Sequence, residues 1–198
     1  MTRIPIILLA AGRSSRMGGA DKLLQDIDGV PLLRRAALIA LGAGPVRVAV
    51  PPLPHPRYAA LAGLEVGIVP VPDADEGMNA SLRRAIADLP RDTQAAMVLL
   101  ADLPDLTTED LTTVMHAVDP GSATRIWRGA TEEGAPGHPV VFHSALFPEL
   151  LALEGDSGAQ SVVTRNADAM QLINLPGQRA RLDLDTPEAW ANWRNTQS

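Results

Sequence analysis

Apolar residues in this chain fall in short, nearly unbroken runs rather than in strict alternation. Residues 4–10 (Ile-Pro-Ile-Ile-Leu-Leu-Ala), 46–50, 66–71 and 95–101 are of this kind. Such runs mark strands buried on both faces. The stretches between them carry helix signals. Pro31 suits the first helical position ahead of 32–41, and Gly42 and Gly44 end that pattern. Further helices are predicted at 58–62, from Asn79 or Ala80 to Leu89, at 107–118, at 144–152, from 155–160 onward, and from Thr186 through Trp190 and Trp193. Strands are predicted at 123–128, from Gly137, and at 170–175. Strands alternating with helices imply an α/β fold with a mainly parallel sheet. The strand at Gly137 and the short ones near the C-terminus read as antiparallel, which makes the sheet mixed.

Composition narrows the function classes. The 198 residues suffice for one domain with a sizeable core, expected to span 1–198. Aromatics are only 3%, so that core must be aliphatic. The 17 basic and 23 acidic side chains leave a net charge of −6 with no basic cluster, which disfavours nucleic acid and anionic membranes as partners. The absence of cysteine excludes disulfides and thiolate metal sites. No run approaches the ~18 apolar residues of a membrane span. The opening run contains Pro5 and leads into an Arg-bearing loop rather than a cleavage site, so a cytoplasmic protein is expected.

Candidate chemistry begins directly after the first run. Residues 11–21 are mostly small, hydroxylated or glycine, and Arg13, Arg16 and Lys22 add three cations around the turn. A tight loop after a buried strand, rich in backbone N–H groups and ringed by cations, suits phosphates. It is neither a P-loop, for no Gly-Lys pair follows Gly12, nor the G-x-G-x-x-G of dinucleotide folds.

The full string Leu-Ala-Ala-Gly-x-Ser-x-Arg-Met-Gly-x-x-Asp-Lys-Leu-Leu resembles the signature loop of sugar-phosphate-type nucleotidyltransferases, in particular the molybdenum cofactor nucleotidyltransferases of the MobA-like NTP transferase family. The resemblance extends from Ile4 to Trp190 and implies a Rossmann-like three-layer nucleotidyltransferase fold. It implies that Ala10, Ala11, Gly12, Arg13, Ser14, Ser15, Arg16 and Lys22 bind the NTP, with Arg16 and Lys22 catalytic. Gly-Met-x-x-Ser-Leu, with Met78 and Ser81, resembles the segment that faces the base, although Ser81 and Asn79 also suit helix capping. Leu-Ala-Asp-x-Pro matches the family's metal-binding Asp at Asp102, which is also catalytic. A carboxylate at the end of a buried strand lies where open α/β sheets bind ligands, and its hard oxygen suits Mg²⁺.

The second metal ligand is implied to be the acidic residue just before Thr-Pro-Glu, Asp185, ranked above Asp183 two residues earlier. Capping explains the same residues: Asp-Thr-Pro-Glu is a helix-start box. Gly137 and His138 resemble the family's acceptor-side strand, and Asp156 lies in a stretch resembling its Gly-Asp-x-Gly-Ala-Arg motif, with Gln160 in place of the Arg. His55, His116 and His143 read as loop or helix-end residues.

The implied reaction is attack by an acceptor phosphate oxygen on the α-phosphorus of an NTP, with pyrophosphate leaving. Positioning and cations accelerate such transfers. Leu-Ala-Ala-Gly rather than Leu-Ala-Gly-Gly at the loop entry resembles the cytidylyltransferase branch, so the expected substrates are CTP and molybdopterin cofactor. By family analogy, a molybdoenzyme or its maturation chaperone would be a partner. Two alternatives remain: transfer to another phosphorylated acceptor, and a non-catalytic nucleotide-binding or cofactor-delivery protein.

Overall fold

The computed structural model describes residues 4–155 and 158–196. In chain order the strands are β1 Ile6–Leu9, β2 Asp26–Ile27, β3 Val30–Pro31, β4 Val46–Val50, β5 Gly67–Pro70, β6 Ala95–Leu100, β7 Ile126–Ala130, β8 Pro136–His143 and β9 Met170–Asn174. The helices are α1 Leu32–Ala43, α2 Arg57–Leu61, α3 Met78–Ala87, α4 Thr108–His116, α5 Phe147–Leu151, α6 Gln160–Arg165 and α7 Pro187–Thr196. Seven strands form one sheet in the order β5-β4-β1-β6-β8-β7-β9, while β2 and β3 form a small hairpin.

Side-chain alternation along the strands sorts the core into two apolar layers. Ile6 and Leu8 of β1, and Met97 and Leu99 of β6, pack with α1, α4 and the Trp190 and Trp193 of α7. Their neighbours Ile7, Ala96 and Val98 face the opposite way, toward α3, α5 and α6. The result is helices on both faces of a mainly parallel sheet, as the apolar runs predict.

Local differences from the sequence reading have physical causes. Gly42 lies inside α1 rather than ending it. A Cβ there would come within 2.8 Å of Thr108 Oγ1, so the glycine lets α4 pack closely. Thr107 caps α4 in a reciprocal capping box with Asp110. Strand β8 is antiparallel to β6 and β7 as expected, but β9 pairs with β7 in parallel. Thus, in the seven-stranded sheet, only β8 runs against the rest. No strand forms at 181–185. That segment instead lies beside the turn after β6, where Leu184 N donates to Asp102 O at 3.1 Å. Among the described residues, no helix is long and apolar enough to cross a membrane.

Candidate active site

Strand β1 is central, and the chain builds outward through β4 and β5 before returning to β6 on its other side. The crevice between β1 and β6 is therefore the point where strand order reverses, the usual binding place in open α/β sheets. Leu9 pairs with Leu100, so the loop starting at Ala10 and the turn holding Asp102 leave the sheet side by side. They open into a cleft of about 510 Å³ lined also by Lys22, Met78, Ser81 and Asp185.

The loop is shaped by its small residues. Ser14 takes a left-handed conformation (φ 53°), as does Gly18 (φ 61°). At Gly12 an added Cβ would meet nothing within 4 Å, so no protein neighbour requires that glycine. The missing side chain instead leaves room for close approach of another molecule to the backbone.

All three cations of the loop region have carboxylate partners. Arg13 pairs with Asp75, and Arg16 with Asp185. The Lys22 ammonium donates to Asp102 Oδ2 at 2.5 Å and also to Asp185 Oδ1. Burial alone would lower the Lys22 pKa, but the two carboxylates outweigh it and hold it above the ordinary lysine value. Burial likewise raises Asp183, and the neighbouring Asp185 and Asp102 add to the rise. Asp185 shifts the other way: Lys22 overcomes the burial cost and holds it low.

Asp102, Asp183 and Asp185 each offer an oxygen within 4.8 Å of the others. Asp102 Oδ1 is buried without a hydrogen-bond partner. A buried acceptor left unmatched beside two further carboxylates fits a hard divalent cation, which takes oxygen ligands. Asp183 and Asp185 thus both reach the cluster. The helix-start alternative falls to Thr186, whose Oγ1 accepts from Ala189 N at 3.1 Å.

Ser81 is buried and Met78 exposed where α3 meets the cleft. Asn79 is buried and donates to Glu154 O at 2.8 Å. A smaller cavity of about 120 Å³ shares Leu9, Met78 and Leu100 with the cleft and is lined by Arg128, His138 and Gln160. His138 Nδ1 is buried there without a partner. Burial, reinforced by the Arg128 charge, pushes the His138 pKa down to about 4. Gly137 lines neither cavity. Its Cα faces the Ala180 carbonyl so closely that an added Cβ would lie 2.1 Å from it. Asp156 lies outside the described residues.

Two site residues escape sequence reasoning. Arg128 projects from β7 into the smaller cavity, its Nε donating to Gly137 O at 2.8 Å. Arg57, on α2, is 2% exposed and bonds the loop. Its surroundings, a proline-rich stretch, carry no periodicity that would single it out.

The comparisons with known proteins follow this geometry. Residues 6–170 match the model of the MobA-like NTP transferase domain. A molybdenum cofactor guanylyltransferase of Methylibium petroleiphilum is 34% identical over 136 residues, 67% of this chain and 64% of that protein. The chain spans less than two thirds of that relative and 56% of a probable one from Natronomonas pharaonis. A probable molybdenum cofactor guanylyltransferase of Nostoc is 28% identical and aligns over 95% of this chain and 89% of its own. The crystal structure of Rv0371c from Mycobacterium tuberculosis superposes with a TM-score of 0.82 at 30% identity, covering 100% of this chain and 99% of that one. Its manganese complex does so with 0.79 at 28%, covering 96% and 97%. The sheet, its helical layers and this match together establish a Rossmann-like nucleotidyltransferase fold, and the chain belongs to the MobA-like NTP transferase domain family.

Proposed function

We propose that the chain, read as one domain over 1–198, moves a nucleoside monophosphate from an NTP to the phosphate of molybdopterin cofactor. An acceptor oxygen bonds to the α-phosphorus, the bond to the β-phosphate oxygen breaks, and pyrophosphate leaves. The observation that carries this reading is the meeting of Lys22, Asp102 and Asp185 in one cleft with the glycine-bearing loop. The names of the relatives support the acceptor.

Each group has a task in this reading. The loop N–H groups hold the triphosphate. Arg13, Arg16 and Lys22 exchange their carboxylate partners for phosphate oxygens and offset the charge that grows as pyrophosphate departs. Asp102 and Asp185, with Asp183 beside them, would hold a divalent cation, magnesium in our reading, which when bound supplies charge neutralisation at the α-phosphate. Arg128, with no carboxylate partner among the described residues, faces the acceptor's phosphate from the smaller cavity, and His138 stands beside it as a neutral donor or acceptor.

For the base we read cytosine, on the Leu-Ala-Ala-Gly loop entry and the Gly-Met-x-x-Ser-Leu segment. Ala11 packs its methyl in the same apolar cluster as Val71 and Ala80, which joins the loop to the start of α3. The guanylyltransferase names of the relatives favour guanine as the second reading. Pyrophosphate release from each of the four NTPs, with molybdopterin and Mg²⁺, tests this. CTP should be used best, and Asp102→Asn should lose activity by a factor on the order of 10²–10³. Preference for GTP would install the second reading. Binding without turnover for any NTP would make the chain a nucleotide-binding protein instead.

A further inference from the structure

Arg57 is buried against the loop and does not line the cleft, and the mechanism above does not use it. All three of its guanidinium nitrogens donate to the loop's two ends. Nη1 donates to Ala10 O at 2.6 Å, and Nη2 to Gly12 O at 2.8 Å. Nε and Nη2 grip both oxygens of Asp21, each at 2.8 Å. Nη2 also reaches Ser14 Oγ at 3.3 Å. Asp21 in turn accepts from Ser14 Oγ at 3.2 Å and from Leu23 N at 3.0 Å, and Lys22 N donates to Ser14 Oγ at 3.2 Å. Burial would raise the Asp21 pKa, but Arg57 overcomes this and holds it below the ordinary aspartate value.

A trans peptide unit points its N–H opposite to its C=O. Turning the Ala10 and Gly12 carbonyls toward Arg57 therefore turns the N–H groups of Ala11 and Arg13 away from it, and both residues line the cleft. Among the described residues, no acceptor takes the N–H of Ala11, Gly12 or Arg13. Successive free N–H groups in a concave turn form an anion cradle. A lysine has no planar fork with which to bond two carbonyls and a carboxylate at once.

We propose that Arg57 is a positioning residue that holds the loop in its anion-binding form before the nucleotide arrives. It touches no substrate and acts through peptide orientation. Because the loop is preformed, its ordering is not charged against nucleotide binding. The inference rests on the triphosphate reading of the loop. Losing a pre-set loop weakens ground state and transition state alike, which raises KM and spares kcat.

The test uses the full chain with Arg57→Lys and Arg57→Ala. Pyrophosphate release is followed against NTP concentration at saturating acceptor, and inorganic tripolyphosphate binding is followed by calorimetry. KM for the NTP and Kd for tripolyphosphate should both rise roughly tenfold to a hundredfold, with kcat changed less than about threefold. KM for the acceptor should not change. Millimolar guanidinium should recover part of the loss in Arg57→Ala and none in Arg57→Lys, whose side chain fills the space. A purely structural role would lower the melting temperature and leave KM and Kd where they are, and that result overturns the inference. So does failure of both variants to fold, which would make Arg57 a folding residue. If the unaltered protein binds neither tripolyphosphate nor NTP, the triphosphate reading itself fails, whatever the variants do.

Discussion

Lys22 and Asp102, 80 residues apart in sequence, meet at 2.5 Å between the ammonium and Oδ2. The same ammonium reaches Asp185 from the far end of the chain. A lysine between two aspartates balances charge that would otherwise be crowded and partly desolvated. It also sits where a divalent cation would compete with the ammonium for the carboxylates, and a triphosphate would compete with the carboxylates for the ammonium.

Replacing Lys22 with Met tests that double duty. Removing the ammonium leaves Asp102 and Asp185 facing one another without their shared counter-charge, and removes one phosphate partner. kcat/KM for the NTP should fall by a factor on the order of 10². Manganese should bind the variant more tightly than the unaltered protein when no nucleotide is present. Initial-rate measurements and metal titration read the two effects separately, and an unchanged kcat/KM would remove Lys22 from the reaction.

His138 gives a pH prediction with a definite sign. Its pKa is about 4 in the folded chain against an ordinary 6.5. Between those values the unfolded chain binds more protons, so stability rises with pH through that window and is lost on acidification from about 6.5 toward 4. The full span is on the order of 3 kcal/mol. Arg128 and, more weakly in the opposite sense, Asp102 are the charges that act on it. Urea unfolding at pH 7 and pH 4.5 should give a difference that shrinks in His138→Gln. An equal pH dependence in the two proteins would refute the assignment.

Gly137→Ala should act at a distance from its own position. Its Cβ would lie 2.1 Å from the Ala180 oxygen, and both partners are backbone, so the turn at 176–182 must move. The chain runs from there directly into Asp183 and Asp185. We expect a loss of about 3 kcal/mol in stability together with weaker manganese binding, measured by denaturant melts and metal titration. Full stability with full metal affinity would mean that the turn can shift freely.

The parts of this candidate site that the residue pattern alone made legible share one property: they follow buried strands. The apolar runs ending at Ala10 and Ala101 have the length and punctuation of central strands, and the candidate residues are the first polar ones after them. Asp185 came from the resemblance alone, because a helix-start box accounts for Asp-Thr-Pro-Glu equally well. Arg57 was not legible, because its partners include main-chain carbonyls at Ala10 and Gly12, which leave no side-chain pattern. The direction of β9 was equally hidden. It is a half-exposed strand at the sheet's edge, with neither a continuous apolar run nor a clean alternation. Gly42 reads as a helix terminator only until Thr108 is seen packed against it.

The reversal of β8 has a consequence for how such a cleft diversifies. In the proposed reaction, loops after parallel strands furnish the nucleotide side with the residues that follow each strand. On β8 the residue opposite that rim, His138, comes near the strand's beginning and is approached from the other half of the chain. In the proposed reaction, donor and acceptor recognition are thereby written in separate stretches of polypeptide that meet at the rim. Exchanging the opening of β8 is then a way to change what receives the nucleotide while the grip on the nucleotide stays as it is.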